Sequence, residues 1–183
     1  PFISSDELAA QGFEGMQRSM VFPVGYSVSV DGNLIAISGI LIEGPNFKDS
    51  SSSIQKLAYA AASNLHSTVI IVERSTGKRV RSYVYRGAGG PLAFSPDGST
   101  IATLVASELD YGIGSAQVRV FSTDPEKQLS NTFDVPSIYF DGKTMFTLWR
   151  SPPGRVLSFS TDGELLSVAL PKVIDLFDMR AGI

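Results

Sequence analysis

An apolar strand, an Asp-Gly pair and a second apolar strand recur along this chain of 183 residues. Asp-Gly stands at 31–32, 97–98, 141–142 and 162–163, and the fullest copy, Pro91 to Leu104, reads PLAFSPDGSTIATL. Asp-Gly between alternating apolar runs is a strong hairpin signal, because both residues tolerate the positive φ of a two-residue turn. A unit repeated at this length cannot bury its apolar faces alone. It stacks on copies of itself, which restricts the chain to a stacked or radial β architecture.

Spacing sets the unit. Gly98 and Gly142 are 44 residues apart, Gly142 and Gly163 are 21 apart, and Gly77 and Gly98 are again 21 apart. Gly32 to Gly98 is 66, one unit plus an insertion. In this register Asp31-Gly32, Asp97-Gly98 and Asp141-Gly142 open units, and Asp162-Gly163 closes one. Within units, Tyr26–Val30 alternates apolar and small polar residues, the period of a half-buried strand, and Leu34–Ile37 is its partner. Val69–Val72 is wholly apolar, turns at Ser75–Gly77 and returns as Arg79–Tyr85. From 39 to 68 the rhythm breaks into a loop insertion. It carries Ile54–Ala62, where Ile54/Ala58 and Leu57/Ala61 have helical spacing and the alanines favour helix. A second loop is expected at 106–116. The third unit reads Ser137–Phe140, Thr144–Trp149, Val156–Phe159 and Leu165–Leu170. The N-terminal segment 1–21 holds a short predicted helix at Asp6–Gln11, capped by Ser5 or Asp6. Blades are therefore expected at 22–86, 89–134 and 136–170, with an extra strand at 172–179.

Four strands per repeat near this length is the signature of a β-propeller blade. Pro91–Thr103 resembles the opening strands of WD40-type and TolB-type blades. Val24–Gly39 resembles the FG-GAP-type blade of integrin-like propellers, and Val69–Glu73 and Val118–Phe121 match third strands of either. The resemblance covers about residues 22–180 and implies an all-β fold of three four-stranded antiparallel blades plus an extra strand. Trp-Asp is absent from the ends of the third strands, where Glu73-Arg74, Ser122-Thr123 and Ser160-Thr161 stand, so the resemblance names the architecture without choosing a subfamily. Some FG-GAP blades bind calcium through carboxylate-rich loops. The corresponding loop, Asn46–Ser50, lacks the clustered carboxylates a hard cation needs. Three blades are fewer than the roughly four to eight of closed propellers. The chain is then a piece of a longer propeller, or shares a ring with other chains, or completes a fourth blade from 1–20 and 172–179.

Composition narrows function mainly by exclusion. Net charge is −3 and pI about 5.1, so no nucleic-acid partner is expected. There is no cysteine, which removes disulfides and thiolate chemistry and leaves the compartment open. No apolar run reaches the roughly 18 residues of a membrane span, and Pro1–Glu7 lacks the basic and apolar regions of a secretion signal. His66, the single histidine, reads as a surface loop residue. Gly87, Gly89, Gly90, Gly112 and Gly114 lead into strands rather than helices and so form no phosphate loop. Glu108/Asp110 and Asp175/Asp178 have no base or metal partner in the sequence. No catalytic, cofactor-binding or metal residue is assigned. Alternation places Arg79, Arg81, Tyr83 and Tyr85 on one face of a fourth strand and Val80 and Val84 on the other. That basic-aromatic strip is either a partner contact or a charged outer rim that deters edge pairing. Trp149 and Arg150, which open the stiff Trp149–Gly154 loop, are the other expected contacts, with packing of Trp149 between blades as the alternative. The function expected is a non-catalytic interaction module whose propeller is completed by a protein partner or by self-association. An integrin-like adhesion or carbohydrate-binding propeller and an accessory domain of a hydrolase or quinoprotein are the alternatives.

Overall fold

The computed structural model describes residues 2–4, 6, 9–11, 19–43, 66–110, 113–127, 130–140, 156–169 and 173–180. Among the described residues, twelve strands form three antiparallel sheets. The first holds β1 (Phe2–Ile3), β2 (Ser19–Val28), β3 (Leu34–Glu43), β4 (His66–Glu73) and β5 (Arg79–Arg86) in that order. The second holds β6 (Ala88–Phe94), β7 (Thr100–Asp110), β8 (Ile113–Ser122) and β9 (Ser130–Phe140). The third holds β10 (Leu157–Phe159), β11 (Leu165–Ala169) and β12 (Ile174–Asp178). The inner strand β6 meets both β2 and β10. The sheets therefore stack face to face around their first strands as the blades of a propeller do, and among the described residues the arc is open.

The blade register differs from the 44-residue reading. β2 and β3, β6 and β7, and β10 and β11 are the opening hairpins, turned at Asp31-Gly32, Asp97-Gly98 and Asp162-Gly163. The true spacings are 66 and 65 residues. Asp162-Gly163 thus opens the third blade instead of closing it, and the "extra" strand is that blade's third. Ser137–Phe140 ends β9 of the second blade, while Asp141-Gly142 and Thr144–Trp149 lie outside the described residues. The expected loop at 106–116 is mostly strand, because β7 and β8 stay paired out to Asp110 and Ile113. The 39–68 insertion is likewise shortened: β3 runs to Glu43 and β4 begins at His66, which pairs with Leu41. The predicted helix at Ile54–Ala62 and the loop Asn46–Ser50 lie outside the described residues. Near the N-terminus, Ala10 N–H donates to Asp6 O at 3.0 Å, closing one helical turn where a helix was expected. β1 adds to the inner edge of the first sheet, so it contributes to no fourth blade.

The three opening turns share one hydrogen-bond pattern, and they span four residues rather than two. Ser29, Ser95 and Ser160 each pair with the residue five positions on. Each serine hydroxyl donates to the following aspartate, at 2.6, 2.6 and 2.5 Å. Each also accepts the N–H of its cross-turn partner, at 2.9, 3.0 and 2.9 Å. Each aspartate in turn accepts the N–H two residues on, at 3.0 Å. The glycines take φ of 73°, 70° and 75°, a conformation costly for any residue with a Cβ. Space at one turn is bounded by the turn before it. A Cβ on Gly163 would sit 3.5 Å from Pro96, and one on Gly98 would sit 4.0 Å from Ser29. The turns therefore line one rim of the arc.

Two seams hold the blades together. Ala36, Val69, Ile71 and Tyr85 of the first blade pack on Leu92, Phe94, Ile101, Val105 and Phe121 of the second. Ala102, Leu104, Val118, Val120 and Val135 of the second pack with Leu157, Leu166 and Val168 of the third. Burying each such Val, Leu or Ile contributes roughly 1.5–3 kcal/mol.

The serine hydroxyls hold Asp31, Asp97 and Asp162 below the ordinary carboxylate pKa, helped by the backbone N–H groups. A carboxylate whose folded pKa is depressed stabilises the fold above its unfolded pKa of 3.8 and loses that contribution as pH falls through the folded value. The S29A/S95A/S160A variant should therefore show a shallower fall in melting temperature between about pH 5 and pH 3 than the parent. Ser95→Ala alone, at a buried site, should cost about 1 kcal/mol at neutral pH by chemical denaturation.

Candidate functional site

The basic-aromatic strip lies in a seam. β5 is the outer strand of the first blade, and the face carrying Arg81, Tyr83 and Tyr85 turns toward the second blade. Tyr83 stacks on Phe121 at 4.5 Å between centroids, and Tyr85 stacks on the same ring at 5.7 Å. The Tyr83 hydroxyl donates to Ser122 O at 2.5 Å. The Arg81 guanidinium lies over the Tyr83 ring at 4.6 Å and donates to Asp124 O and, at 3.0 Å, to Lys127 O. Burial pushes the Tyr83 phenol pKa up, Arg81 lowers it and Asp124 raises it. Tyr85 is 2% exposed, and its buried hydroxyl has no hydrogen-bond partner; burial raises its phenol pKa strongly, opposed by the nearby Thr103 hydroxyl and the Arg119 charge. The Arg119 guanidinium lies 5.4 Å from the Tyr85 ring centroid, and burial lowers its pKa. Arg79 stands half-buried at the start of β5. Arg81, Tyr83 and Tyr85 pair with Ile71, Val69 and Ser67, whereas a bulge at Val80 pairs Arg79 with Val72 and breaks the expected alternation there; the aromatic part of the strip packs on the neighbouring blade. Trp149 and Arg150 lie outside the described residues.

The same seam explains the glycines. Ser67 Oγ donates to Gly87 O and accepts Gly89 N–H, both at 2.8 Å, and Ser38 Oγ donates to Gly90 O at 2.7 Å. Both serines are wholly buried, so they satisfy the backbone where the chain crosses from blade to blade. A Cβ on Gly89 would press on the Tyr85 hydroxyl and come within 3.2 Å of Ser67 Cβ. His66 begins β4 and is half-buried, not a loop residue.

Two other surfaces stand out. A cleft of about 440 Å³ runs along the inner strands, with Val28, Phe94 and Phe159 among its apolar lining and Ser27, Ser160 and Thr161 among its hydroxyls. It has no charged side chain. The second surface is the outer face of the third blade. β11 and β12 pair Ser167 with Leu176 and Ala169 with Ile174. The equivalent pairs are Ala36/Ile71 and Ser38/Val69 in the first blade, and Ala102/Val120 and Leu104/Val118 in the second. Ile71, Val69, Val120 and Val118 are at most 2% exposed, whereas Leu176 is 65% and Ile174 is 64% exposed. At its lower end Arg180 bridges Glu164 at 3.1 Å and Asp178 at 3.4 Å, which raises the guanidinium pKa through the Asp178 hydrogen bond first and the Glu164 charge second. No cluster of metal-ligating side chains occurs among the described residues.

Gly89→Ala should lower stability by about 1–3 kcal/mol, the scale of overpacking, as measured by thermal or urea unfolding. Tyr85→Phe in the same chain should recover part of that loss, because the hydroxyl is the group the new Cβ meets.

No family model matches the chain, and no curated protein matches it. Among solved structures it is similar to the β-propeller domain of the trilobed protease from Pyrococcus furiosus, with 16% identity, a TM-score of 0.49, and coverage of 88% of this chain and 40% of that one. It is also similar to an acylaminoacyl peptidase from Pyrococcus horikoshii, with 15% identity, a TM-score of 0.43 and coverage of 81% and 17%. A third similarity is to TolB from Acinetobacter baumannii, with 13% identity, a TM-score of 0.37 and coverage of 90% and 42%. The chain spans less than half the length of each of these structures.

Proposed function

We propose that this chain is a non-catalytic interaction module and that the outer face of its third blade is a contact surface for polypeptide. The observation that carries the reading is the exposure of Ile174 and Leu176 at positions whose counterparts in both internal seams are sealed. Leu165, 40% exposed, extends the same face toward the Asp162-Gly163 turn. A face built on the seam pattern gains by meeting another such face, at roughly 1.5–3 kcal/mol for each large side chain fully buried. It is also a contiguous apolar patch of the kind that marks association.

The test is an I174K/L176K variant. Both side chains lie outside the buried core, so its circular dichroism melt should match the parent's. Used as bait in an extract of the cells that make the chain, the parent should retain polypeptide (its own copies included) that the variant loses. Identical retention by both, with both running at 19.6 kDa in light scattering, would overturn the reading.

A further inference from the structure

We infer that the seam between the first and second blades binds a small inorganic anion of the chloride class, held between the Tyr85 hydroxyl and the Arg119 Nε–H group. The site is separate from the outer face of the third blade.

It begins with two buried donors that no acceptor answers. Tyr85 is buried, and its hydroxyl has no hydrogen-bond partner. Arg119 is half-buried, and its Nε–H group is itself buried and equally without a partner. The two share one level of the seam. Arg119 pairs with Thr103 across β7 and β8, and the Thr103 hydroxyl is near that of Tyr85. The guanidinium lies 5.4 Å from the Tyr85 ring centroid. Buried polar groups in folded proteins find a partner, and two such donors at one level point to a common acceptor.

The surroundings select its charge and size. Among the described residues no carboxylate pairs with Arg119. Asp134, two residues along from Thr132, the cross-strand partner of Arg119, accepts from Gln117 Nε2 at 3.0 Å. Arg81, the other cation on this side of the seam, donates to Asp124 O and Lys127 O. The Tyr85 ring face takes up part of the guanidinium charge, yet burial still lowers the Arg119 pKa, as it does for a cation short of a counter-charge. A water accepting from both donors would have to place its own two hydrogens. An anion only accepts, and it supplies the missing charge. Gly89 stands against the hydroxyl, where a Cβ would press on it, and Thr103 stands near it. Such close walls favour a monatomic anion over sulfate or phosphate.

The second seam gives the contrast. Val135 and Val168 hold the places of Tyr85 and Thr103 there, and both are buried. Asp175 stands in the place of Arg119. Each seam thus carries one charge at this level, and only the first surrounds a cation with hydroxyl donors. An anion so held ties β5 of one blade to β8 of the next.

The test is the melting temperature of the full chain in sodium chloride, with sodium gluconate keeping the ionic strength constant. Chloride should raise it along a saturating curve, by about 3–6 °C once chloride exceeds its dissociation constant tenfold. Tyr85→Phe should flatten that curve and Arg119→Gln should abolish it, while Lys78→Gln, at an exposed cation, should leave it unchanged. Chlorine NMR needs only the parent, so it holds even where a variant fails to fold: the protein should broaden the chloride line, and bromide should reverse the broadening. Equal melting in chloride and gluconate, with no broadening, would overturn the inference. Tyr85→Phe then separates the remaining cases, lowering stability if the donors hold water and not if they hold nothing. A chloride effect that never saturates, or that Arg119→Gln retains, would overturn it as a general salt effect. I174K/L176K leaves this seam intact, so failure here does not touch the module reading.

Discussion

Every blade here is a sheet with two apolar faces, and a sheet of that kind is stable only with a neighbour on both sides. β3 shows the rule in one strand: Ala36 and Ser38 are sealed against the second blade, while Ile35 and Ile37 look the other way. An ordinary antiparallel sheet keeps one face for water. These strands do not, and so the fold is additive. The wholly buried serines Ser38 and Ser67 bind the backbone at the crossing into β6. They fix how closely the second blade approaches the first, and hence how well Phe121 meets Tyr83 and Tyr85.

The all-β class, the radial stacking and most strand positions were legible in the sequence, because alternation and turn residues are local signals. The period was not. Asp141-Gly142 carries the same dipeptide as the true openers and lies 44 residues from Gly98, which suggested a shorter unit. The distinguishing signal is the residue two before the aspartate. Ser29, Ser95 and Ser160 are present at the three opening turns, whereas Tyr139 stands before Asp141. The serine matters because its hydroxyl bonds both the aspartate and the returning strand. A search on Ser-x-Asp-Gly rather than Asp-Gly recovers spacings of 66 and 65 at once.

The strip on β5 marks a different limit. Alternation separates Tyr83 and Tyr85 from Val84, since it reports which residues share a face, but it does not foresee the bulge at Val80. It says nothing about what lies opposite that face. Phe121, the ring both tyrosines stack on, is 36 residues beyond Tyr85, and no local pattern predicts that pairing. The third blade was legible only in part: an apolar strand at 172–179 left over from the repeat asks for a partner, but the exposure of Ile174 and Leu176 stands out only beside their buried counterparts in the other blades.

The row of Ser-x-Asp-Gly turns has a consequence for the molecule as a whole. Because the turns abut along one rim, Asp31, Asp97 and Asp162 form a fixed anionic border there, and the serine hydroxyls keep it ionised into acid where free carboxylates have begun to take up protons. The inner cleft has no charged side chain of its own and is lined by Ser160, whose hydroxyl bonds Asp162, so the ionised carboxylate of the third turn lies one hydrogen bond from the cleft wall.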